Sequence, residues 1–402
     1  MKKIIFAILI YFGLIIIQSC NKEDITSNEY NNFEVSFSEA QIIAENFIQP
    51  KTFQYFFPEQ KNIDKSNFNH KKQKKFTNNK VDTILIEVYK HKTVFFKINY
   101  KKGGFLILSA DKRVEPILAY SFINTIPINQ NAYPPGFKIW IEYTKKQIDE
   151  IKTTNVGINI KAQNSFNYLI EPNIIDPIDP PCESSSYIVG PLLTTQWGQG
   201  CGYNNYMPQL SCGPCGHALA GCVMVATAQI MNYYEYPTNY NWNYMPDLDG
   251  NNFVSNLIVD IWDYIPSNVK YYNCLTGTGV DIDYDFSNIF KNGFNYTNAT
   301  QSSYNYLTVK SNLNSHKPIL LMDTGDNGGH AWVCDGYRNF EDCIETTDPY
   351  TGEINYTYIS YLYLHMNWGW NGDADGYYAF NNFNPLNTTF NNNVKMVCNI
   401  NP

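Results

Sequence analysis

A cysteine stands between a glycine and a run of helix formers in Ala220-Gly221-Cys222-Val223-Met224-Val225-Ala226. That context puts Cys222 in the first turn of a buried helix, where unpaired N–H groups and the positive end of the dipole stabilise a thiolate. A thiolate attacks carbonyl carbon, so the position suits a nucleophile; a small core side chain or half of a disulfide would fit the same context. Such a nucleophile needs a base, and six histidines are available. His330 follows Gly328-Gly329 and opens the apolar run Ala331-Trp332-Val333-Cys334, which sets an imidazole at the mouth of a strand, packed on one side and open to a cleft on the other. A third segment, Leu364-His365-Met366-Asn367-Trp368-Gly369-Trp370, adds an amide and two indoles. The Asn367 carbonyl can accept from an imidazole N–H, and Trp368 can shield that bond from water. His365 shares a strand face with Asn367 and is the competing base; His330 is preferred.

These groups need a scaffold, and the 402 residues, 44% of them hydrophobic, suffice for two ordinary domains. Ser36 and Glu39 have capping-box spacing ahead of Ala40, Ile43, Ala44, Phe47 and Ile48, a helix that Pro50 is expected to end. Strand-like runs at Thr83 to Tyr89, Thr93 to Tyr100 and Phe105 to Ser109 predict an antiparallel meander, and Phe137, Trp140, Ile141, Ile148 and Ile151 predict a second amphipathic helix. Residues 35–170 therefore read as a small α+β domain. Residues 171–186, EPNIIDPIDPPCESSS, hold four prolines and a serine run, so they form an exposed linker open to proteolysis. Residues 187–402 put a strong helix early and strands late, at Pro318 to Met322, Ala331 to Tyr337, Tyr358 to Trp368 and Gly376 to Phe380, again α+β.

Residues 1–19 carry two lysines, then an apolar run ending in small and polar residues, the layout of an export signal. Ile17-Gln18-Ser19-Cys20 resembles a bacterial lipobox, which implies acylation of Cys20, and Asn21-Lys22-Glu23-Asp24 resembles a signal for the outer face of a two-membrane envelope. Residues 20–34 would be the tether, and the rest of the chain has no run long enough to span a bilayer. A formal charge of −8 gives no basic field for nucleic acid. Of ten cysteines, eight remain after Cys20 and Cys222, an even number suited to bridges in an oxidising compartment. Cys334 and Cys343 read as a local pair. Cys212-Gly213-Pro214-Cys215 spells the thioredoxin motif, but it follows a polar loop rather than a buried strand, and structural disulfides are the preferred reading. No further ligands at suitable spacing make it a zinc site.

Five separated segments now combine. Gln199-Gly200 with Tyr203-Asn204, His217-Ala218 with Gly221-Cys222, Ala226 to Met231 with Tyr236-Pro237, Gly329-His330-Ala331 with Asp335-Gly336, and Asn367-Trp368-Gly369-Trp370 resemble, in order, the motifs of the streptopain family of papain-like cysteine peptidases. Gly103-Gly104-Phe105 to Ser109, Asp111-Lys112-Arg113 and Pro116-Ile117-Leu118 resemble that family's inhibitory prosegment. The resemblance implies a papain-like α+β peptidase domain behind a prodomain and a Cys222–His330 dyad. It implies Gln199 as oxyanion donor with the Cys222 N–H, Trp368 beside the histidine and Asn367 as a less decisive orienter. It implies no cofactor and no metal. The expected protein is an exported, lipid-anchored cysteine endopeptidase at the outer membrane and cell surface. It is made as a zymogen, acts on polypeptides and is inhibited by its own prosegment, with release of the catalytic part after cleavage. The chain departs from the family pattern in its extra cysteines and in Cys201-Gly202, where proline is usual. The rival class is a surface lipoprotein that keeps the fold as an inactive binding module; reaction with a thiol-directed peptide electrophile separates the two.

Overall fold

The computed structural model describes residues 33–57, 76–154, 156–172, 185–275, 277–323, 329–347, 351–381 and 394–402. The export signal, Cys20 and most of the tether lie outside these residues, as do Cys182 and residues 173–184 of the linker. Helix α1 (Phe37–Phe47) opens on the capping box: Glu39 N–H donates to Ser36 Oγ (3.2 Å) and Ser36 N–H to Glu39 Oε2 (2.8 Å). Pro50 does not simply end it. It is the first residue of α2 (Pro50–Phe56), where its missing N–H costs nothing. Strands β1 (Val81–Tyr89), β2 (Lys92–Tyr100), β3 (Phe105–Ser109) and β4 (Ile117–Ser121) form the meander, one strand longer than expected, and α3 (Pro135–Thr153) and α4 (Ile160–Ile170) follow.

The C-terminal part starts with β5 (Ser185–Val189), then α5 (Cys222–Tyr234), α6 (Asn252–Tyr264), a hairpin of β6 (Lys270–Asn273) and β7 (Gly277–Val280), β8 (Asn298–Ser303) and α7 (Tyr306–Asn314). Strands β9 (Ile319–Asp323), β10 (His330–Thr347), β11 (Ile354–Asn367), β12 (Gly376–Asn381) and β13 (Lys395–Asn401) complete it. The meander does not close on itself. Strand β4 pairs with β12 through Tyr120↔Tyr377 and Ala119↔Tyr378, giving one sheet ordered β1-β2-β3-β4-β12-β11-β10-β9-β13-β8, with β5 against β10. The Tyr120 and Tyr377 rings stack at 5.2 Å across that junction.

Helix α3 is shared in the same way. Its Phe137, Trp140, Ile141, Ile148 and Ile151 enter one cluster with Trp332, Trp368 and Tyr378 of the C-terminal strands. Each large apolar side chain so covered contributes about 2–3 kcal/mol. A second cluster surrounds α5, whose Val223 to Met231 are all buried, and a third lies between α1 and the meander.

Two disulfides staple the segment before α5: Cys201–Cys215 and Cys212–Cys274, the latter across 62 residues of sequence. A loop of that length is worth about 4 kcal/mol in the chain-entropy account. The halves of Cys212-Gly213-Pro214-Cys215 thus bond to different partners, which leaves no dithiol to exchange. The expected Cys334–Cys343 pair is wrong. Both lie on the continuous strand β10, about 30 Å apart at roughly 3.3 Å per residue, and Cys334 is a buried free thiol.

Candidate active site

Gly221 precedes α5 at φ +85°, and a Cβ there would stand 2.3 Å from Met224 Cε, so glycine is required for the chain to turn into the helix. Cys222 is the first helical residue, as its flanks predict. Burial pushes its thiol up, while backbone N–H groups of Ala331, Val223 and Cys222 itself pull it down without reversing the shift. His330 starts β10, pairs there with Asp323 and lies almost flat against Trp332 at 6.3 Å. Its Nε2–H donates to the Trp368 carbonyl (3.1 Å), and burial pushes its pKa down to about 4 in spite of that bond. Both groups are therefore held uncharged at neutral pH, the opposite of a thiolate–imidazolium pair.

Cys222, His330 and Gln199 line one cleft of about 980 Å³. Gln199 is positioned by Ala220 N–H donating to its carbonyl (2.9 Å), and its buried Nε2 has no partner among the described residues. The N-terminal part reaches into this cleft. Pro135 lines it, and a Cβ on Gly136 would stand 2.6 Å from both His330 Cδ2 and Trp368 Cε3. The first turn of α3 thus presses bare backbone onto the imidazole.

Trp368 is wholly buried beside His330. Its backbone N–H donates to Asp375 Oδ1 (2.7 Å), its indole N–H to the Ala374 carbonyl (3.1 Å), and its ring meets Trp332 at 5.3 Å. Asn367 corrects an expectation, because its amide does not hold the imidazole here. Its Nδ2 donates to the Thr195 carbonyl (2.7 Å) and its Oδ1 accepts from Gln229 Nε2 (3.0 Å) and Gly369 N–H (3.1 Å). Asn367, the last residue of β11, shares the face of His365 and lines a second cavity of about 450 Å³. His365 opens into that cavity too, with Nδ1 2.6 Å from Asp335 Oδ1, and so is apart from Cys222.

Matches to known proteins decide the kinship. The Peptidase C10 family model matches residues 197–240 and 238–378, and that of the Spi protease inhibitor matches residues 32–148. Residues 197–378 belong to the peptidase C10 family. Streptopain of Streptococcus pyogenes is 26% identical over 336 residues, covering 71% of this chain and 74% of streptopain. The thiol protease/hemagglutinin PrtT of Porphyromonas gingivalis is 23% identical over 342 residues, covering 76% of this chain and 36% of PrtT. The solved prointerpain A fragment of Prevotella intermedia superposes with a TM-score of 0.50 at 25% identity, covering 80% of this chain and 99% of the fragment. The C10 chain is a cysteine endopeptidase with a papain-like fold, carried as a zymogen behind an inhibitory prosegment.

Two residues around the site of this C10 peptidase went unread in the sequence. Gln229 lies two turns beyond Cys222 on α5, donating to Asn367 and accepting from Trp197 N–H (3.1 Å); a buried amide in the apolar stretch Val223 to Met231 was its signal. Gly136 had no local signal, because its role comes from a partner nearly 200 residues away.

Proposed function

We propose that Cys222 is the nucleophile, His330 its base and Gln199 the oxyanion donor in cleavage of extended polypeptides, and that residues 35–170 keep the enzyme latent until the 171–186 linker is cut. Withdrawal of α3 uncovers the imidazole, which regains water and a pKa near its ordinary range and can turn from the Trp368 carbonyl to the Cys222 thiol. Proton transfer from Sγ to His330 then gives the ion pair. The thiolate attacks the scissile carbonyl, and the oxyanion is met by Gln199 Nε2–H and the Cys222 N–H at the start of α5. His330 passes its proton to the leaving amine, then activates the water that frees the acyl-enzyme. Trp368 walls the imidazole in, and Asn367 secures the end of β11 through Gln229.

The observation that carries this reading is the unpartnered amide of Gln199 in the same cleft as thiol and imidazole. In the mature fragment, residues 187–402, Cys222→Ala is expected to abolish peptide hydrolysis, and Gln199→Ala to lower kcat by about 10²–10³-fold. Activity of Cys222→Ala near that of the parent sinks the assignment.

The same reading includes the ends of the chain: export directed by residues 1–19, acylation of Cys20, a tether over residues 20–34, and residence at the outer membrane facing outward. Linker cleavage then frees the catalytic part. A fatty-acid analogue is expected to label the parent and not Cys20→Ser; an unlabelled parent rejects the anchor.

A further inference from the structure

The wall of the cleft that faces the reacting groups is the hairpin β6–β7, a separate two-stranded sheet with Tyr271↔Gly279 and Tyr272↔Thr278 in register. Its base is tied down: Asp281 N–H donates to the Val269 carbonyl (2.7 Å), and Lys270 Nζ stands over the Trp262 ring at 4.5 Å. Strand β7 rests on the nucleophile's own turn, since a Cβ on Gly221 would come within 3.0 Å of Thr278 Cγ2. The Tyr271 ring lies across Gly279, where a Cβ would be 2.4 Å from its Oη. At the tip, Leu275 is 96% exposed and lines the cleft beside Cys274.

An isolated hairpin is marginal in water, so a tip that must present a defined surface needs a tie of its own. The Cys212–Cys274 bond is that tie, joining the tip to the loop Cys212-Gly213-Pro214, which lines the same cleft. That loop is in turn bonded through Cys215 to Cys201, two residues after Gln199. Two disulfides in series thus connect the hairpin tip to the oxyanion-donor loop, using cysteines that depart from the family pattern.

We propose that this pair of disulfides is a specificity frame. Cys212–Cys274 fixes Tyr271 and Leu275 as an apolar wall that receives an apolar side chain of the bound peptide, and Cys201–Cys215 keeps the Gln199 loop in register with that wall. The inference rests on the reading of Cys222 and His330 given above. A wall that binds ground state and transition state alike acts on KM, whereas an oxyanion donor acts on kcat.

The test uses mature enzyme, a peptide series varied from alanine to leucine or phenylalanine at each position near the cut, and alkylation by iodoacetamide, which is too small to need the wall. In Cys212→Ser/Cys274→Ser, KM for the best apolar substrate is expected to rise about tenfold with kcat within about threefold, and its preference over alanine to collapse. Cys201→Ser/Cys215→Ser is expected to lower kcat as well. Leu275→Asp, an exposed change that leaves both bridges intact, is expected to reproduce the loss of preference. Alkylation of Cys222 is expected to stay at the parent rate throughout. Unchanged KM and preference in both Leu275→Asp and the Cys212/Cys274 variant, with normal alkylation, overturn the frame alone. Hydrolysis that survives Cys222 alkylation overturns the reading of the cleft, and the frame with it.

Discussion

His330 and His365 sit on neighbouring strands of one sheet in opposite circumstances. His365 has a carboxylate 2.6 Å from its Nδ1, the arrangement familiar from acid–base sites, yet it opens into a cavity that holds no thiol. Among the described residues His330 has a backbone carbonyl as its hydrogen-bond partner and an aromatic ring beside it, yet it shares a cleft with Cys222. A carboxylate partner orients an imidazole, but it does not make that imidazole a base for a nucleophile elsewhere. The two cavities also meet the prosegment differently. Tyr120 to Asn124 contribute to the wall around His365, with Gln196 Nε2 donating to Asn124 Oδ1 (3.1 Å), whereas Pro135 lines the cleft of Cys222 and Gly136 lies against the His330 ring. One contact joins two parts of the molecule; the other bears on the imidazole that shares a cleft with the thiol.

The comparison breaks most visibly in activity. His330→Ala in the mature enzyme is expected to cost at least about 10⁴-fold in kcat/KM, as loss of a base paired with a nucleophile does, whereas His365→Ala is expected to retain activity within about tenfold. Hydrolysis of a peptide substrate by the two variants decides it, and the reverse ranking would exchange their roles.

A smaller effect lies in pH. His330 has an ordinary value of 6.5 and is pushed down to about 4 in the precursor, chiefly by burial. A histidine held neutral when covered opposes folding of the precursor once the exposed form would be protonated. The precursor is therefore unpenalised above about pH 6.5 and loses up to about 3 kcal/mol as pH falls toward 4. Asp375, whose carboxyl burial pushes well up, titrates in the opposite sense and masks part of the slope. Comparing thermal unfolding of Cys222→Ala with Cys222→Ala/His330→Asn from pH 7 to pH 4 cancels that contribution. The gap between the two is expected to move in favour of the asparagine variant as pH falls; parallel profiles would reject the buried neutral imidazole.

How much of this was legible depended on whether the signal was local. The Ser36/Glu39 cap, the helix opening at Cys222 and the strand opening at His330 are written in a few adjacent residues, and each was read correctly. The amide of Asn367 was assigned to the imidazole because its residue type and the family resemblance favoured it. Strand alternation turned it the other way, to Gln229. The junction of β4 with β12 had no local mark at all, since an edge strand that will pair far along the chain looks like any other short apolar run. That is why a meander that seemed self-contained proved to be four strands of an eleven-stranded sheet.

Gly136 is the sharpest instance, and the smallest expected effect. Glycine in the first turn of a helix is ordinarily a weakness, and Gly136→Ala would be expected to stabilise α3 by up to about 1 kcal/mol through helix propensity. Here the added methyl would stand 2.6 Å from ring carbons of His330 and Trp368, well inside contact distance. Both rings are held while α3 covers them: Trp368 by Asp375 and Ala374, with Trp332 and Tyr378 behind it, and His330 by its bond to the Trp368 carbonyl. The start of α3 must lift instead, and overpacking of this kind costs about 1–3 kcal/mol, which outweighs the propensity gain. The latch should loosen by about tenfold. Labelling of Cys222 in the uncut precursor with a thiol-directed peptide electrophile is the measure, because it reads exposure of the cleft without waiting for maturation. Gly136→Ala is expected to label about tenfold faster than the parent, while Lys138→Ala, an exposed change two residues on and on the opposite side of the same helix, labels at the parent rate. Equal rates for all three would mean that the close approach at Gly136 is incidental, and that latency comes from the shared sheet and the Phe137 and Trp140 packing rather than from backbone pressed onto the imidazole.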